Sequence, residues 1–401
     1  MSLKHPYFYD MDYVRSQSDK DLFKVVSLFA GGGGSSTGYR LAGGKVLAIN
    51  EFIESARDTY SSNYPDTHIF DEDVRDLSGQ KILDTLNLKK GELDLLDGSP
   101  PCASFSTIGS GFTRKETHGL GTDKFNEVRQ YSGVEQRTDD LFYEFIRILE
   151  DLNPKTFIAE NVRGLAIEPN KKILGSNDPN DLSTNTIMGK FRSLGYKVKY
   201  KLVNSEDYGV AQTRTRLIII GVRKDLKGFP NFPFTLPKKV RLKHVIPDMQ
   251  FISCHKGFGE VFNRMRIPSN VCYTLMKTGI GPKGTYKIFR DSMTLEMIPE
   301  DHRVKFFDKA DLLYKDVPAL HQPGYLLKKD FTGVEYKEHP DYRNLSRLSI
   351  DEFKMIQSFP TDYVLEGTYN KQLERLGRSV PPLMMKAIAE HLYNTVLSKN
   401  K

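Results

Sequence analysis

Residues 25–36 read V-V-S-L-F-A-G-G-G-G-S-S, and this stretch decides the fold class. A mostly apolar run predicts a buried strand, the glycines predict a tight turn, and Ser35 or Ser36 can cap a helix that follows. A glycine run in this position can bring the backbone close to a ligand and leave helix amides free to bind it. A glycine turn with a purely structural role has the same composition, so both interpretations stay open at this point.

The glycine run is not a dinucleotide-binding fingerprint. If G-x-G-x-x-G begins at Gly31, Ser36 stands at the position of the third glycine. Residues 45–50 predict a second strand, and Glu51 at its end could accept hydrogen bonds from a ribose. The pattern therefore favours a nucleoside cofactor without a phosphate over a nicotinamide dinucleotide. A nicotinamide-dependent dehydrogenase stays as an alternative that a cofactor-binding titration would test.

Strand-sized apolar runs alternate with amphipathic helices from residue 24 to residue 220. The clearest helix, at residues 141–152, carries its apolar side chains on one face. This alternation predicts an α/β fold with a parallel sheet, helices on both of its faces, and chemistry at the carboxyl ends of its strands. The other predicted elements are a helix near residues 53–64 and strands at residues 93–96, 156–159 and 216–222.

Length and composition indicate a soluble globular protein with one large α/β domain and a smaller attached one. The chain has 401 residues, of which 39% are hydrophobic and 27% are charged. No apolar run is long enough to span a bilayer, and the N-terminal residues lack the apolar core of a signal peptide. The cysteines Cys102, Cys254 and Cys272 are too few and too scattered for a disulfide framework or a four-ligand zinc site. We therefore expect a cytoplasmic protein that binds no metal.

The net charge of +7 is concentrated in one part of the chain. Residues 224–343 hold 21 basic and 14 acidic residues, and the rest of the chain holds 37 of each. A solvated lysine-rich surface would give such an excess, and so would a module that faces a polyanion. The proline-rich residues 229–239, F-P-N-F-P-F-T-L-P-K-K, predict a domain boundary near the start of this region.

A second pattern puts a nucleophile and an acid at strand ends. Residues 98–102 read G-S-P-P-C, so Cys102 follows a rigid proline pair at the end of a predicted strand. A single cysteine is more often a small core residue than a nucleophile. However, Glu160 ends another predicted strand, and the two residues together would bring a thiol and a carboxyl group to one edge of the sheet. Residues 104–137, rich in Gly, Ser, Thr and charge, are expected to form a mobile active-site loop.

Two arginines lead into the last strand of this region. Arg214 and Arg216 are two residues apart, and the period of a strand would turn both side chains to the same face. Their guanidinium groups are suited to binding carboxylates or phosphates.

In their order and spacing, these residues resemble the DNA (cytosine-5) methyltransferases of the prokaryotic or phage type. The most specific match is at residues 98–106, G-S-P-P-C-A-S-F-S, which resemble the Pro-Cys nucleophile motif of that family. Residues 160–162, E-N-V, and residues 212–216, Q-T-R-T-R, are similar to two further motifs. The other matches run along most of the chain, at residues 29–34, 50–52, 73–74, 347–360 and 377–382.

The resemblance implies a Rossmann-like sheet that binds S-adenosylmethionine. Phe29 and the glycine backbone would hold the methionine part of the cofactor, Glu51 would hold the ribose, and Phe52, Asp73 and Val74 would hold the adenine. The full set of cofactor-binding residues implied in this way is Phe29, Ala30, Gly31, Gly33, Glu51, Phe52, Asp73, Val74, Gly98, Pro100, Leu141, Ser379 and Val380.

The resemblance also implies the chemistry. The thiolate of Cys102 would add to C6 of cytosine and turn the ring into an enamine at C5. Glu160 would hydrogen-bond N3 and the exocyclic amine, and Arg214 would hold the carbonyl O2 and lower the pKa of Cys102. No metal is needed. The catalytic set is Pro101, Cys102, Glu160, Asn161, Arg214 and Arg216.

DNA is the implied substrate, and a base inside a duplex must be flipped out to be reached. Residues 1–223 would form the catalytic domain, residues 224–343 the target recognition domain, and residues 344–401 a segment that completes the catalytic domain. The implied partners are duplex DNA and a restriction endonuclease acting on the same site, for a monomer associated with the bacterial nucleoid. The candidate DNA contacts are Ser106, Arg264, Arg266, Thr274, Leu275, Lys277 and Lys283.

The chain departs from the family pattern at a few positions. Ala103 stands where Gln usually follows the cysteine, which bears on how the gap left by a flipped base is handled, and Ala211 stands where Pro is common. Arg378 replaces the common Asn of the tenth motif, which bears on one cofactor contact. Two alternatives remain: an RNA cytosine-5 methyltransferase of the same architecture and a catalytically silent DNA-binding regulator. The basic region favours DNA, and the intact Cys102 and Glu160 favour an enzyme.

Overall fold

The computed structural model describes residues 8–100, 141–168, 170–246 and 349–401, together with short strands between them. Its strands are β1 (Phe23–Leu28), β2 (Gly44–Asn50), β3 (His68–Phe70), β4 (Leu95–Gly98), β5 (Val128–Tyr131), β6 (Val134–Arg137), β7 (Thr156–Val162), β8 (Tyr196–Asn204), β9 (Thr215–Arg223), β10 (Phe251–Ser253), β11 (Lys287–Phe289), β12 (Arg303–Val304), β13 (Leu326–Leu327) and β14 (Ser346–Arg347). Its α-helices are α1 (Met11–Ser18), α2 (Gly34–Leu41), α3 (Glu54–Asn63), α4 (Gly79–Leu86), α5 (Leu141–Leu152), α6 (Lys171–Leu174), α7 (Ile187–Ser193), α8 (Leu242–Val245), α9 (Ile350–Ile356), α10 (Tyr369–Arg378) and α11 (Pro382–Thr395).

By its internal contacts the chain divides into two compact units. The first, which we call the sheet unit, consists of Met11–Asn204, Thr215–Thr235 and Val380–Lys401. The other, which we call the second unit, consists of Met1–Asp10, Ser205–Arg214 and Leu236–Ser379. None of the helices in the described stretches is long and apolar enough to cross a membrane.

The sheet unit is built on seven strands in the order β3-β2-β1-β4-β7-β9-β8. The first five run parallel to one another, as the alternation of strands and helices predicts. In contrast, β9 runs antiparallel to both β7 and β8. The ten residues from Ser205 to Arg214 join β8 to β9 without a crossover helix, which is sufficient only for antiparallel neighbours.

Helices cover both faces of this sheet. Side chains alternate along each strand, so Val26, Leu96 and Phe157 lie on one face, in a core shared with α4, α5 and α7. Here α5 buries the apolar face that its sequence predicts, and Phe157 packs against Phe191 with ring centroids 4.4 Å apart. On the other face α2 packs against α11, so closely that a Cβ added to Gly38 would lie 2.6 Å from the Cβ of Met385.

The strand β8 was not predicted, although its sequence, Y-K-V-K-Y-K-L-V-N, alternates. Tyr196 and Val198 are buried in the core, while Lys199, Lys201 and Leu202 are exposed, and exposed lysines are common on the edge strand of a sheet. The Asn177 side chain donates to the carbonyl of Tyr200 at 3.1 Å and accepts from its amide at 2.8 Å. The segment between α6 and α7, which holds Asn177, therefore covers part of the outer edge of the sheet.

The second unit is smaller in its described part. A 3-10 helix, Ser205–Tyr208, lies at its start, and Lys239 pairs with Glu206 at 3.0 Å. The helix α9 begins with a capping box in which Ser349 and Glu352 each accept from the other's backbone amide. The short strands of this unit pair in the orders β10-β11-β14 and β12-β13.

Candidate active site

The glycine run forms a left-handed turn at the carboxyl end of β1. Phe29, Gly31 and Gly33 all have positive φ angles, of 55°, 55° and 85°, and Gly33 is the residue before the first turn of α2. A phenylalanine in this conformation is strained, and such strain is typical of a functional site. The sequence prediction of a strand, a glycine turn and a helix is therefore confirmed, but the predicted cap is wrong: Gly33 is the N-cap, and Ser35 and Ser36 lie within α2.

Glu51 is tied to this turn. It follows β2 and is 8% exposed, and its Oε2 accepts from the amide of Gly31 at 2.8 Å. Its Oε1 accepts from the amide of Ile53, also at 2.8 Å. Both carboxylate oxygens are thus oriented by backbone amides at the carboxyl edge of the sheet.

The other predicted cofactor residues of the sheet unit differ in exposure. Phe52 is 37% exposed, so that its ring is accessible, whereas Val74 and Leu141 are 3% and 1% exposed and belong to the core. The Asp73 carboxylate accepts from the amide of Arg75 at 3.0 Å and pairs with its guanidinium at 2.8 Å. The side chain of Val74 is therefore part of the packed core and not of an exposed surface.

The backbone at the end of β4 is fixed by close packing at Gly98 and by a hydrogen bond at Pro100. A Cβ added to Gly98 would lie 2.5 Å from Cδ2 of Phe145, so the backbone can pass this ring only as glycine. Two residues later, the carbonyl of Pro100 accepts from Nδ2 of Asn161, which is 3% exposed, at 3.3 Å. The turn that leads to Pro101 and Cys102 is therefore anchored on β7.

Glu160 and Arg216 form a buried ion pair at the same edge. Nε of Arg216 lies 3.0 Å from Oε1 of Glu160, and the two side chains are 16% and 10% exposed. Burial lowers the pKa of Arg216, and the carboxylate of Glu160 opposes that shift. The pair forms because β9 is antiparallel: Arg216, near its beginning, is opposite Val162 at the end of β7. Because β7 extends to Val162, Glu160 lies within the strand rather than just after it.

Arg214 lies just before β9 and belongs to the second unit. It is 1% exposed, and its Nη2 donates to the carbonyls of Gly377 at 2.9 Å and Arg378 at 3.3 Å. The period of two that predicts a common face with Arg216 holds only within a strand, and β9 begins at Thr215. The two arginines therefore have different described partners.

The residues of the tenth motif belong partly to the second unit and partly to the sheet unit. In the second unit, Oγ of Ser379 donates to the carbonyl of Arg375 at 2.7 Å. Arg378, which stands in place of the common Asn, pairs with Glu374 at 2.5 Å. In the sheet unit, Val380 is 6% exposed.

Sequence reasoning missed Asp97, the most deeply buried carboxyl group at this edge. It lies in β4 and is 1% exposed. Oγ of Ser27 donates to its Oδ2 at 2.6 Å, and the hydroxyl of Tyr39 donates to its Oδ1 at 2.5 Å. Burial raises the pKa of Asp97 to about 7 against these hydrogen bonds, with a further contribution from Glu160. An acidic residue inside the otherwise apolar run L-L-D-G was the signal that could have identified it.

Several predicted residues lie outside the described part of the chain. They are Pro101, Cys102, Ala103 and Ser106, the cysteines Cys254 and Cys272, and the candidate DNA contacts Arg264, Arg266, Thr274, Leu275, Lys277 and Lys283. Within the expected active-site loop, the structure describes only the antiparallel pair β5 and β6. Among the described residues, no cluster of three or more His, Cys, Asp or Glu side chains could hold a metal ion.

Known proteins share this sequence pattern and fold. The family model for C-5 cytosine-specific DNA methylase matches residues 23–394. The Type II methyltransferase M.FnuDI of Fusobacterium nucleatum is 32% identical over 385 residues, which cover 94% of this chain and 96% of that protein. The Type II methyltransferase M.NgoPII of Neisseria gonorrhoeae is 27% identical over 384 residues, covering 93% and 96%. A mutant DNMT2 from Spodoptera frugiperda has a similar fold, with a TM-score of 0.55 at 19% identity, over 92% of this chain and 98% of that one.

Proposed function

Because the chain belongs to the C-5 cytosine-specific DNA methylase family, we propose that it methylates C5 of a cytosine within a specific short sequence of duplex DNA, with S-adenosylmethionine as the methyl donor. The observation that carries this proposal is the buried pair of Glu160 and Arg216. It lies at the end of β7, where Asn161 also holds the carbonyl of Pro100. A carboxyl group, a guanidinium group and the approach to Cys102 thus meet at one edge, as attack on a polar ring requires.

The carboxyl ends of β1 and β2 fit the cofactor. Glu51 is oriented by two amides, and because each carboxylate oxygen can accept more than one hydrogen bond, it can also accept from the ribose hydroxyls. The exposed ring of Phe52 offers an apolar surface to the adenine. The left-handed turn at Phe29–Gly33 brings the backbone to the same edge of the sheet, where it would contact the methionine part. When bound, S-adenosylmethionine supplies an electrophilic methyl group.

The protein's own residues make C5 of cytosine nucleophilic. The thiolate of Cys102 adds to C6 and forms a carbon–sulfur bond, which turns the ring into an enamine at C5. Glu160 hydrogen-bonds N3 and the exocyclic amine, and Arg214 holds O2, so that both offset the charge developing on the ring. Arg216 orients the Glu160 carboxylate. After C5 has gained the methyl group it loses its proton to water or a base, and the carbon–sulfur bond breaks to release Cys102.

DNA recognition falls to residues 224–343, which hold the whole net charge of the chain. Lysine and arginine side chains there bind phosphates, and the target cytosine is flipped into the site at a cost of a few kcal/mol of stacking and pairing. M.FnuDI and M.NgoPII are Type II methyltransferases. This supports a cognate restriction endonuclease that cuts the same sequence. That the methyltransferase acts as a monomer is a part of the proposal that no relative's name addresses.

Methyl transfer to purified nucleic acids tests this function. The protein is incubated with labelled S-adenosylmethionine and either duplex DNA of mixed sequence or transfer RNA, and the modified nucleosides are identified by mass. We expect 5-methylcytosine in the DNA, at one short sequence that methylation-sensitive sequencing reads out. Methylation of the transfer RNA alone would establish the RNA enzyme instead, and no product on either substrate would overturn the proposal.

A further inference from the structure

The carboxyl group of Asp97 has no role in the chemistry described above, yet it lies under the reacting edge. It is on β4, one residue before the Gly98–Pro100 turn, and it is 1% exposed. Such a group costs stability unless donors or cations compensate its charge. The donors that the structure gives it are two hydroxyl groups.

The hydrogen-bond partners of Asp97 come from β1 and α2. Ser27 of β1 donates to one carboxylate oxygen at 2.6 Å, and Tyr39 of α2 donates to the other at 2.5 Å. On β7, Ile158 is paired with Asp97, so Glu160, two residues further, is on the same face and nearer the edge. Arg216 of β9 reaches this group of side chains through its pair with Glu160.

We propose that Asp97 is a positioning residue for methyl transfer: its carboxylate, held by Ser27 and Tyr39, fixes the first residue of the Gly98–Pro100 turn and thereby the approach to Cys102. This rests on the proposed function, since Cys102 is the nucleophile there. The turn is then fixed on both sides, by the hydrogen bonds of Ser27 and Tyr39 to Asp97 just before it and by the hydrogen bond of Asn161 to Pro100 at its end. Fixing a nucleophile by its supporting residues matters because small displacements cost large factors in rate.

Only the ionised form of Asp97 can hold this arrangement. A carboxylate accepts from Ser27 and Tyr39 together, one on each oxygen, whereas a carboxylic acid has a proton on one oxygen that must itself be donated. Tyr39 stays a donor, because burial, and then Asp97 itself, raise its pKa well above the usual value. Burial raises the pKa of Asp97 to about 7, so the arrangement forms as the pH rises through that value. An asparagine at this position has a single acceptor oxygen and resembles the protonated form.

The test is the single-turnover rate of methyl transfer to duplex DNA, measured from pH 5.5 to 9. In the wild-type protein we expect the rate to rise with pH, with a midpoint near pH 7. Any further rise caused by ionisation of Cys102 is common to the wild-type protein and all the variants. D97N should be slower by about tenfold to 10²-fold at pH 8 and should lack this midpoint. The Kd for S-adenosylmethionine and for DNA should stay within about twofold, because the effect is on positioning rather than on binding.

The pH midpoint of the rate in Tyr39→Phe tests the positioning role, because this midpoint would not change if Asp97 had only a structural role. The substitution removes one donor to the carboxylate, so the midpoint should shift to higher pH, and the rate on the alkaline side should fall by less than in D97N because Ser27 still holds the carboxylate. Ser27→Ala should shift the midpoint in the same direction. The matched control is Tyr196→Phe, which removes another buried tyrosine hydroxyl, bonded to the carbonyl of Pro154 at 2.8 Å, at the opposite edge of the sheet. It should leave the midpoint unchanged.

The outcomes separate this inference from the proposed function. If D97N kept the wild-type rate and midpoint, or if Tyr39→Phe moved the midpoint no more than Tyr196→Phe, Asp97 would have no positioning role. If D97N failed to fold, the shifts in Tyr39→Phe and Ser27→Ala would still decide. If the wild-type protein itself transferred no methyl group to DNA at pH 8, the proposed function would fail, whatever the behaviour of Asp97.

Discussion

Charged side chains at the two edges of the seven-stranded sheet differ in their exposure to water. At the amino edge, Asp94 pairs with Lys155 at 2.8 Å, with both side chains partly exposed, at 18% and 26%. Arg223 pairs there with Asp225, which is 59% exposed. These charges keep contact with water and cost little.

At the carboxyl edge, charged side chains are buried. Asp97 is 1% exposed and has two hydroxyl donors, and Glu160 and Arg216 form a buried pair. Asp94 and Asp97 lie only three residues apart in the sequence, so local sequence does not explain the difference. Buried charges with perturbed pKa values are concentrated where chemistry takes place, because a folded chain keeps such costs only where they serve a function.

The largest effect is expected from removing one partner of the buried pair. Arg216→Met leaves the Glu160 carboxylate buried without a cation, which should lower the free energy of unfolding by about 3–5 kcal/mol. Urea unfolding at pH 8 measures this. The double variant Glu160→Gln, Arg216→Met is the control and should recover most of the loss while staying inactive. A single variant as stable as the wild-type protein would mean that the pair is solvated.

Asp97 should make stability depend on pH. Its pKa is raised from 3.8 to about 7 in the folded protein, so the unfolded chain releases this proton first as the pH rises. The stability that Asp97 contributes is therefore fully present below pH 3.8 and is lost as the pH rises through about 7. The Asp97→Asn variant has no carboxyl group to ionise, so it does not lose this stability. Its free energy of unfolding should exceed that of the wild-type protein by up to about 4 kcal/mol at pH 8.

Chemical denaturation at pH 5 and pH 8 tests that dependence. The advantage of Asp97→Asn over the wild-type protein should be larger at pH 8, while its rate of methyl transfer is lower. Asp94→Asn, at the other end of the same strand, serves as the control and should show no such growth. Equal differences at both pH values would show that Asp97 does not titrate in this range.

A smaller effect is expected at Glu51. Glu51→Ala removes charged hydrogen bonds to the ribose and to the glycine turn, and S-adenosylmethionine should bind more weakly by about 1–3 kcal/mol. Calorimetry measures the change, and Glu51→Gln, which keeps one acceptor oxygen, should lose less. Unchanged affinity in Glu51→Ala would contradict the ribose assignment.

The smallest effect is expected at the amino edge. Lys155→Met removes a partly exposed partner of Asp94, which still accepts from the amide of Lys24 at 2.8 Å. The free energy of unfolding should fall by about 0.2–1 kcal/mol, and less at high salt. A loss as large as that in Arg216→Met would remove the contrast between the two edges.

Local patterns were enough to predict much of this molecule. The glycine turn, the strands β1, β2, β4 and β7 and the helix α5 follow from residues close together in the chain, and the structure confirms them. Likewise, the position of Glu51 at the end of β2 follows from strand length alone.

Features that depend on distant residues were missed. The donors to Asp97 lie 58 and 70 residues away, and no local pattern connects them. The antiparallel direction of β9 depends on its pairing with β7, and it is this direction that brings Arg216 to Glu160. Arg214 was expected on the face of Arg216, but its described partners are carbonyls of Gly377 and Arg378, more than 160 residues later.

Covalent trapping tests the central claim most directly. A DNA target whose cytosine carries fluorine at C5 cannot lose fluorine as a cation, so elimination stops after methyl transfer and the enzyme stays attached. We expect an adduct that requires S-adenosylmethionine, survives denaturing electrophoresis and maps to Cys102. Cys102→Ser should abolish it, Glu160→Gln should slow it by roughly 10²-fold, and Cys254→Ala and Cys272→Ala should retain it. An adduct on Cys254 or Cys272, or normal methylation by Cys102→Ser, would contradict the account.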